Sequence, residues 1–148
     1  MKARSNAMVF QNLKHVIFYE KTGCSGNKRQ KELLQQHGIS LEVRSLLDTP
    51  WNVPMLKAFF EGLTPSEMLN PFAPQLKDGS FSLASYTKES LIEKMVQEPI
   101  LIRRPLLQIG DVKLCGFDIA KLNSLLNIKM PTPSNINACL SSDACNNA

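Results

Sequence analysis

Leu13 to Tyr19, Leu-Lys-His-Val-Ile-Phe-Tyr, is a largely apolar run of β-branched and aromatic residues, and its junction with the next segment constrains the fold more than any other stretch of the chain. The run reads as a buried central strand. A short loop, Glu20-Lys21-Thr22-Gly23, leads to Cys24. Gly26 to His37 then reads as a helix, with Leu33 and Leu34 inward and Gly38 as its stop. Ile39 to Leu47 alternates through most of its length and reads as a second strand. Strand, helix and strand in this order make a βαβ unit, with parallel strands and a right-handed crossover.

That junction places Cys24 at the first turn of a helix. Free backbone N–H groups and the positive end of the helix dipole favour a thiolate over a thiol there. The thiolate is the nucleophile, so Cys24 is the candidate centre of chemistry. The alternative is a buried structural cysteine, since free Cys is among the most buried residue types. Lys28, Arg29 and Lys31 come soon after it. They either lower the Cys24 pKa further or form a solvated helix face. Glu20 acts in the opposite sense, because a nearby carboxylate raises a thiol pKa.

Beyond the βαβ unit the chain reads as helical. Asn52-Val53-Pro54 opens a helix carrying Leu56, Phe59 and Phe60, which Gly62 ends. Thr64-Pro65-Ser66-Glu67 is a capping box with Pro at the first helical position. Pro71 and Pro74 interrupt the pattern, Lys77 to Ser80 reads as a turn, and Thr87 caps a helix bearing Leu91, Ile92, Met95 and Val96. Strand character returns at Ile100-Leu101-Ile102. Leu106 to Ile109, a Gly110-Asp111 turn and Val112 to Cys115 form a hairpin. Phe117 to Asn127 closes with an amphipathic helix built on Ile119, Leu122, Leu125 and Leu126. The resulting division is an N-terminal extension over 1–12, a domain over 13–127 with a helical insert at about 50–98, and a disordered tail over 128–148. A mixed sheet flanked by helices on both faces, of α/β class, satisfies this order.

Composition narrows the function classes. The net charge of +4 is modest, and no basic stripe with interleaved aromatics appears, so no nucleic-acid partner is expected. No apolar run approaches the roughly 20 residues that span a bilayer, so no membrane association is expected. Lys2 and Arg4 are not succeeded by an apolar signal segment, which points to a cytoplasmic protein with reduced thiols. The four cysteines lack the paired close spacings of a metal site, and no Walker or Rossmann phosphate loop is present. Neither a metal nor a bound cofactor is expected.

The Cys24 loop, Pro-Ile-Leu-Ile-Arg-Arg-Pro-Leu-Leu at Pro99 to Leu107, and Lys-Leu-Cys-Gly-Phe at Lys113 to Phe117 together resemble the thioredoxin-like arsenate reductase and Spx family. The resemblance covers roughly Leu13 to Leu126. Asn70 to Gly79, Asn-Pro-Phe-Ala-Pro-Gln-Leu-Lys-Asp-Gly, resembles its nitrogenase-associated branch. It implies a thioredoxin-like mixed sheet with a helical insertion between the βαβ unit and the C-terminal hairpin. It further implies a bacterial thiol oxidoreductase with Cys24 as nucleophile and Arg104 stabilising an oxyanion or thiolate. Gly23, Ser25, Gly26, Asn27, Lys28, Asn70 and Pro105 are the implied substrate-binding residues, with glutathione as co-substrate and glutathione or glutaredoxin as reductant. Pro105 is implied to be cis, and a cis bond at a bend also accounts for a proline within a strand pattern, where an ordinary trans edge proline is the alternative. The other reading is a non-catalytic regulatory or protein-binding module, with nitrogenase components or RNA polymerase as partners by analogy.

Two departures bear on that choice. The family's further arsenate-binding arginines fall at Asn70 and Gly116, and replacing Arg by Asn or Gly removes charge and fork geometry together. That weighs against arsenate as substrate. The Cys-x-x-Cys switch of the Spx branch is broken by Asn27. Cys139 and Cys145 are either incidental tail thiols or resolving partners for Cys24. Cys115, in a strand pattern, is expected to pack in the core. His15 and His37 read as structural.

Overall fold

The computed structural model describes residues 15–133 and residue 136. β1 (His15–Glu20), α1 (Ser25–Gln36) and β2 (Ser40–Ser45) form the expected βαβ unit. β1 and β2 are parallel, with His15 opposite Ser40 and Glu20 opposite Ser45. Leu13 and Lys14, the expected start of the first strand, lie outside the described residues. The hairpin is β3 (Leu106–Ile109) and β4 (Val112–Cys115). β3 runs antiparallel to β1, pairing Phe18 with Leu107, and the sheet order is β2-β1-β3-β4.

Alternation along the central strands divides the core between two faces. Val16 and Phe18 of β1, with Leu107 and Ile109 of β3, meet Leu33 and Leu34 of α1. On the same face they meet Ile119, Leu122 and Leu126 of α6 (Ile119–Leu126). Tyr19 and Leu106 face the other way, into the helical insert. There the Tyr19 ring lies 5.0 Å from Trp51 and 5.7 Å from Phe59, centroid to centroid. β2 is an edge strand, and its Val43 is exposed.

The insert contains α2 (Val53–Lys57), α3 (Pro65–Met68), α4 (Pro74–Lys77) and α5 (Lys88–Gln97). Its caps match the sequence. The Asn52 side chain accepts the Met55 N–H at 2.9 Å, and the Thr87 hydroxyl accepts that of Ser90 at 3.1 Å. The Glu67 carboxylate accepts both the Thr64 N–H and its hydroxyl, each at 2.9 Å. The helix expected to run on to Gly62 is α for five residues only, and Ala58–Phe60 tightens into a 3₁₀ turn.

Two expectations give way. Ile100 to Ile102 is not a strand; Pro99–Leu101 is a 3₁₀ turn, and Ile102 makes a single bridge to Leu69. A three-residue apolar run has no period by which to tell the two apart. Nor are residues 128–133 and 136, at the start of the expected tail, disordered. Asn123 holds Met130 from both sides, donating Nδ2 to its carbonyl at 3.0 Å and accepting its N–H at 2.8 Å. Met130 and Ile136 are buried against α1 and α6. The rest of the tail, with Cys139 and Cys145, lies outside the described residues.

Candidate active site

The β1–α1 loop is built around its backbone. Gly23 adopts φ +86°, a conformation costly for any residue with a Cβ, and the Cys24 N–H turns back to the Lys21 carbonyl at 3.1 Å. Cys24 is the N-cap of α1, with φ −83° and ψ 117°, and its carbonyl accepts the first helical bond from Lys28 at 3.1 Å. The sulfur therefore stands where the sequence places it, at the positive end of the helix.

A buried polar relay braces this loop. The Asn27 Oδ1 accepts the Lys21 N–H at 2.9 Å, and its Nδ2 donates to Gln30 Oε1 at 3.0 Å. Gln30 Nε2 in turn donates to the Ile136 carbonyl at 2.8 Å. Asn27 and Gln30 are each only 2% exposed. Glu20 pairs with Lys31 outside the cleft, and Arg29 donates to the Ser25 hydroxyl at 3.3 Å.

A cleft of about 590 Å³ opens beside the sulfur. Cys24, Gly26, Asn27, Asn70 and Arg104 line it, so these five candidates come together. Cys24 is 4% exposed, so a reagent must approach it through the cleft. Gly23, Ser25, Lys28 and Pro105 do not line it. Gly23 shapes the turn, Ser25 accepts from Arg29, and Lys28 is exposed. Pro105 is joined to Arg104 by a cis peptide, as the resemblance implies, and its carbonyl accepts the Gly116 N–H at 2.8 Å.

Asn70 lines the cleft, but its amide is committed elsewhere. Nδ2 donates to the Ile100 carbonyl at 2.9 Å, and Oδ1 accepts the Phe72 N–H at 2.9 Å. The residue is 2% exposed and ties the insert to the segment that carries the two arginines.

Sequence reasoning passed over Arg103, Lys113 and Lys121, which also face the cleft. The Arg103-Arg104 pair was visible in the sequence, but in an extended segment neighbouring side chains are expected on opposite sides. Cys115 packs at the edge of the core, as expected, yet it is half-buried and lines the cleft as well. Its Sγ lies 3.5 Å from the Arg103 carbonyl, and burial pushes the thiol up to about 12. It is therefore a thiol, not a thiolate, at neutral pH.

Known proteins resemble the chain in sequence and in fold. The ArsC family pattern matches residues 19–125. An uncharacterized 15.7 kDa protein in the draG 3′ region of Rhodospirillum rubrum is 35% identical over 124 residues, covering 84% of this chain and 87% of that protein. The uncharacterized protein YfgD of Escherichia coli K12 is 28% identical over 96 residues, covering 63% and 81%. Among solved structures, an ArsC family related protein from Bacteroides fragilis superposes with a TM-score of 0.65 at 25% identity, covering 74% of this chain and 96% of that one. The arsenate reductase from Vibrio cholerae gives 0.60 at 24% identity, over 78% and 98%, and shares the fold. The family pattern spans most of the domain, from the last residues of β1 into α6, and on that ground the chain belongs to the ArsC family.

Proposed function

We propose that the protein is a monothiol oxidoreductase of arsenate reductase type, acting in the cytoplasm. The observation that carries this reading is the position of Cys24, at the α1 N-cap and in one cleft with Arg104. The Cys24 thiolate attacks the glutathione-bearing sulfur of a mixed disulfide. A Cys24–glutathione disulfide forms and the substrate leaves as its thiolate, stabilised by Arg104 and the helix end. Glutathione then attacks the glutathione sulfur of the Cys24 adduct, releasing oxidised glutathione and the free Cys24 thiolate; a glutaredoxin thiol attacking there instead leaves as its own mixed disulfide with glutathione. Cys139 or Cys145 is the alternative resolving thiol, attacking the Cys24 sulfur of the adduct and releasing glutathione.

The test is the rate of Cys24 alkylation against pH, with Cys24→Ser as the blank. A midpoint well below the free-thiol value of about 8.5, with a glutathione adduct on Cys24 by mass spectrometry, supports the reading. A midpoint at the free-thiol value refutes it.

One observation favours a second reading, a regulatory protein-binding module. The two positions where the resemblance places further arginines hold a structurally committed Asn70 and Gly116. The Rhodospirillum rubrum relative, named for the draG 3′ region, agrees with nitrogenase components as the partner class. RNA polymerase is the alternative partner by analogy with Spx. Cellular function retained by Cys24→Ser decides for the binding module.

A further inference from the structure

β2 ends the sheet, and among the described residues it pairs with β1 alone. The Leu46 N–H donates to the Glu20 carbonyl at 2.8 Å, so Leu46 turns its backbone groups toward β1. Alternation then directs the N–H and C=O of Leu41, Val43 and Ser45 outward, along the open edge. The Ser45 carbonyl accepts the Thr49 hydroxyl at 2.6 Å and keeps a second lone pair. At the centre, Val43 is 45% exposed; with Val112 it makes up the exposed large apolar side chains of the described residues. Glu42 and Arg44 flank it, both exposed and both on the insert side of the sheet. Arg44 donates Nη1 to the Tyr19 hydroxyl at 3.0 Å, lies over that ring and pairs with Glu42.

We propose that the β2 edge binds a second copy of this chain, by antiparallel pairing about a two-fold axis through Val43, so that one sheet runs through both copies. Glu-Val-Arg is its own complement in that orientation. The outward backbone groups of Val43 meet those of the partner's Val43, and Leu41 meets the partner's Ser45. Glu42 then stands opposite the partner's Arg44, and Arg44 opposite the partner's Glu42. These are the pairs without backbone hydrogen bonds, where side chains come closest. In-register parallel pairing sets Glu42 against Glu42 and Arg44 against Arg44, so the charges select the antiparallel form. Charged residues on an edge strand commonly repel other strands, but opposite charges two residues apart do not repel a copy turned this way. The other edge, β4, has no such match: antiparallel pairing about Lys113 sets lysine against lysine, and one step aside sets it against Leu114. No β2 residue lines the Cys24 cleft, so pairing leaves both clefts open.

Sedimentation equilibrium of the full chain, with thiols kept reduced, tests this from about 10 µM to about 1 mM protein. A small edge interface predicts a dimer with Kd on the order of 0.1 mM. Glu42→Arg and Arg44→Glu should each weaken it at least about fivefold, because each sets like charges opposite one another. Mixed together, those two single variants should associate as a heterodimer at least as well as the parent, since all the opposed charges again differ in sign. Val43→Pro loses an N–H that points to solvent in the monomer, so it should fold and yet dimerise at least about tenfold more weakly. If it fails to fold, the charge variants decide alone, with circular dichroism confirming their fold. A parent that stays monomeric at about 1 mM overturns the proposal, whether residues 1–14 or nothing covers the edge. So does a dimer indifferent to Glu42→Arg, or a mixture of the two single variants that associates no better than either alone.

Discussion

Asn27→Ala tests whether the buried relay positions the nucleophile. Truncation removes the acceptor of the Lys21 N–H and the donor to Gln30 Oε1, at a residue 2% exposed. Each buried polar group left without a partner costs about 1–3 kcal/mol, so the expected loss for the two is about 2–6 kcal/mol. With a urea m-value of about 1.5–2 kcal/mol/M, the unfolding midpoint drops by about 1–4 M at unchanged slope. Gln30→Ala shares one of these bonds, and it also releases the Ile136 carbonyl. The double variant should therefore lose less than the sum of the singles, by about 1 kcal/mol. The same loosening exposes the loop that carries Cys24, so alkylation by a neutral reagent at fixed pH should speed up. A stability loss under about 0.5 kcal/mol, or singles that add fully, refutes the relay as a brace.

Asn70→Arg, which restores the residue the family resemblance implies, should destabilise the protein by at least about 2 kcal/mol in thermal unfolding, since it strips the bonds to Ile100 and Phe72 and forces a cation into a buried position. Cys115 is raised from an ordinary value of 9.0 to about 12 by burial, so the unfolded chain releases its proton first as pH rises. Its contribution to stability is whole below pH 9.0 and is lost between there and about 12; Cys115→Ser, examined by denaturation at pH 8 and at pH 10.5, should flatten that fall. Asn123→Ala frees both polar groups of Met130, and tryptic cleavage at the adjacent exposed Lys129 should quicken several-fold while the rest of the domain resists.

The sheet was legible because β1 lies in an apolar run of β-branched and aromatic residues, β2 alternates, and the Gly110-Asp111 turn marks the hairpin. Which face each residue takes is seen in the structure: Val16, Phe18 and Leu107 on one side, Tyr19 and Leu106 on the other. Cys24 was legible for a local reason, a Gly-Cys turn between strand and helix. The cleft's far wall was not. Arg103 and Cys115 reach it through contacts 12 and 36 residues apart in the chain, to each other and to Glu67, which no local pattern encodes. Asn70 and Asn27 were legible only through what the family places at their positions. Their roles depend on which backbone groups the insert and the loop leave unpaired, and that is settled only once the chain has closed on itself.

The grip of Gln30 on Ile136 fixes the point from which the last twelve residues depart. Cys139 comes three residues later, a leash of about 10 Å at full stretch, from an anchor on the same helix that starts at the nucleophile. Six residues along a helix separate Gln30 from Cys24, about 9 Å. On the proposal that Cys139 resolves Cys24, their reaction is unimolecular, with an effective concentration of order 1 mM or above and a rate independent of how dilute the protein is.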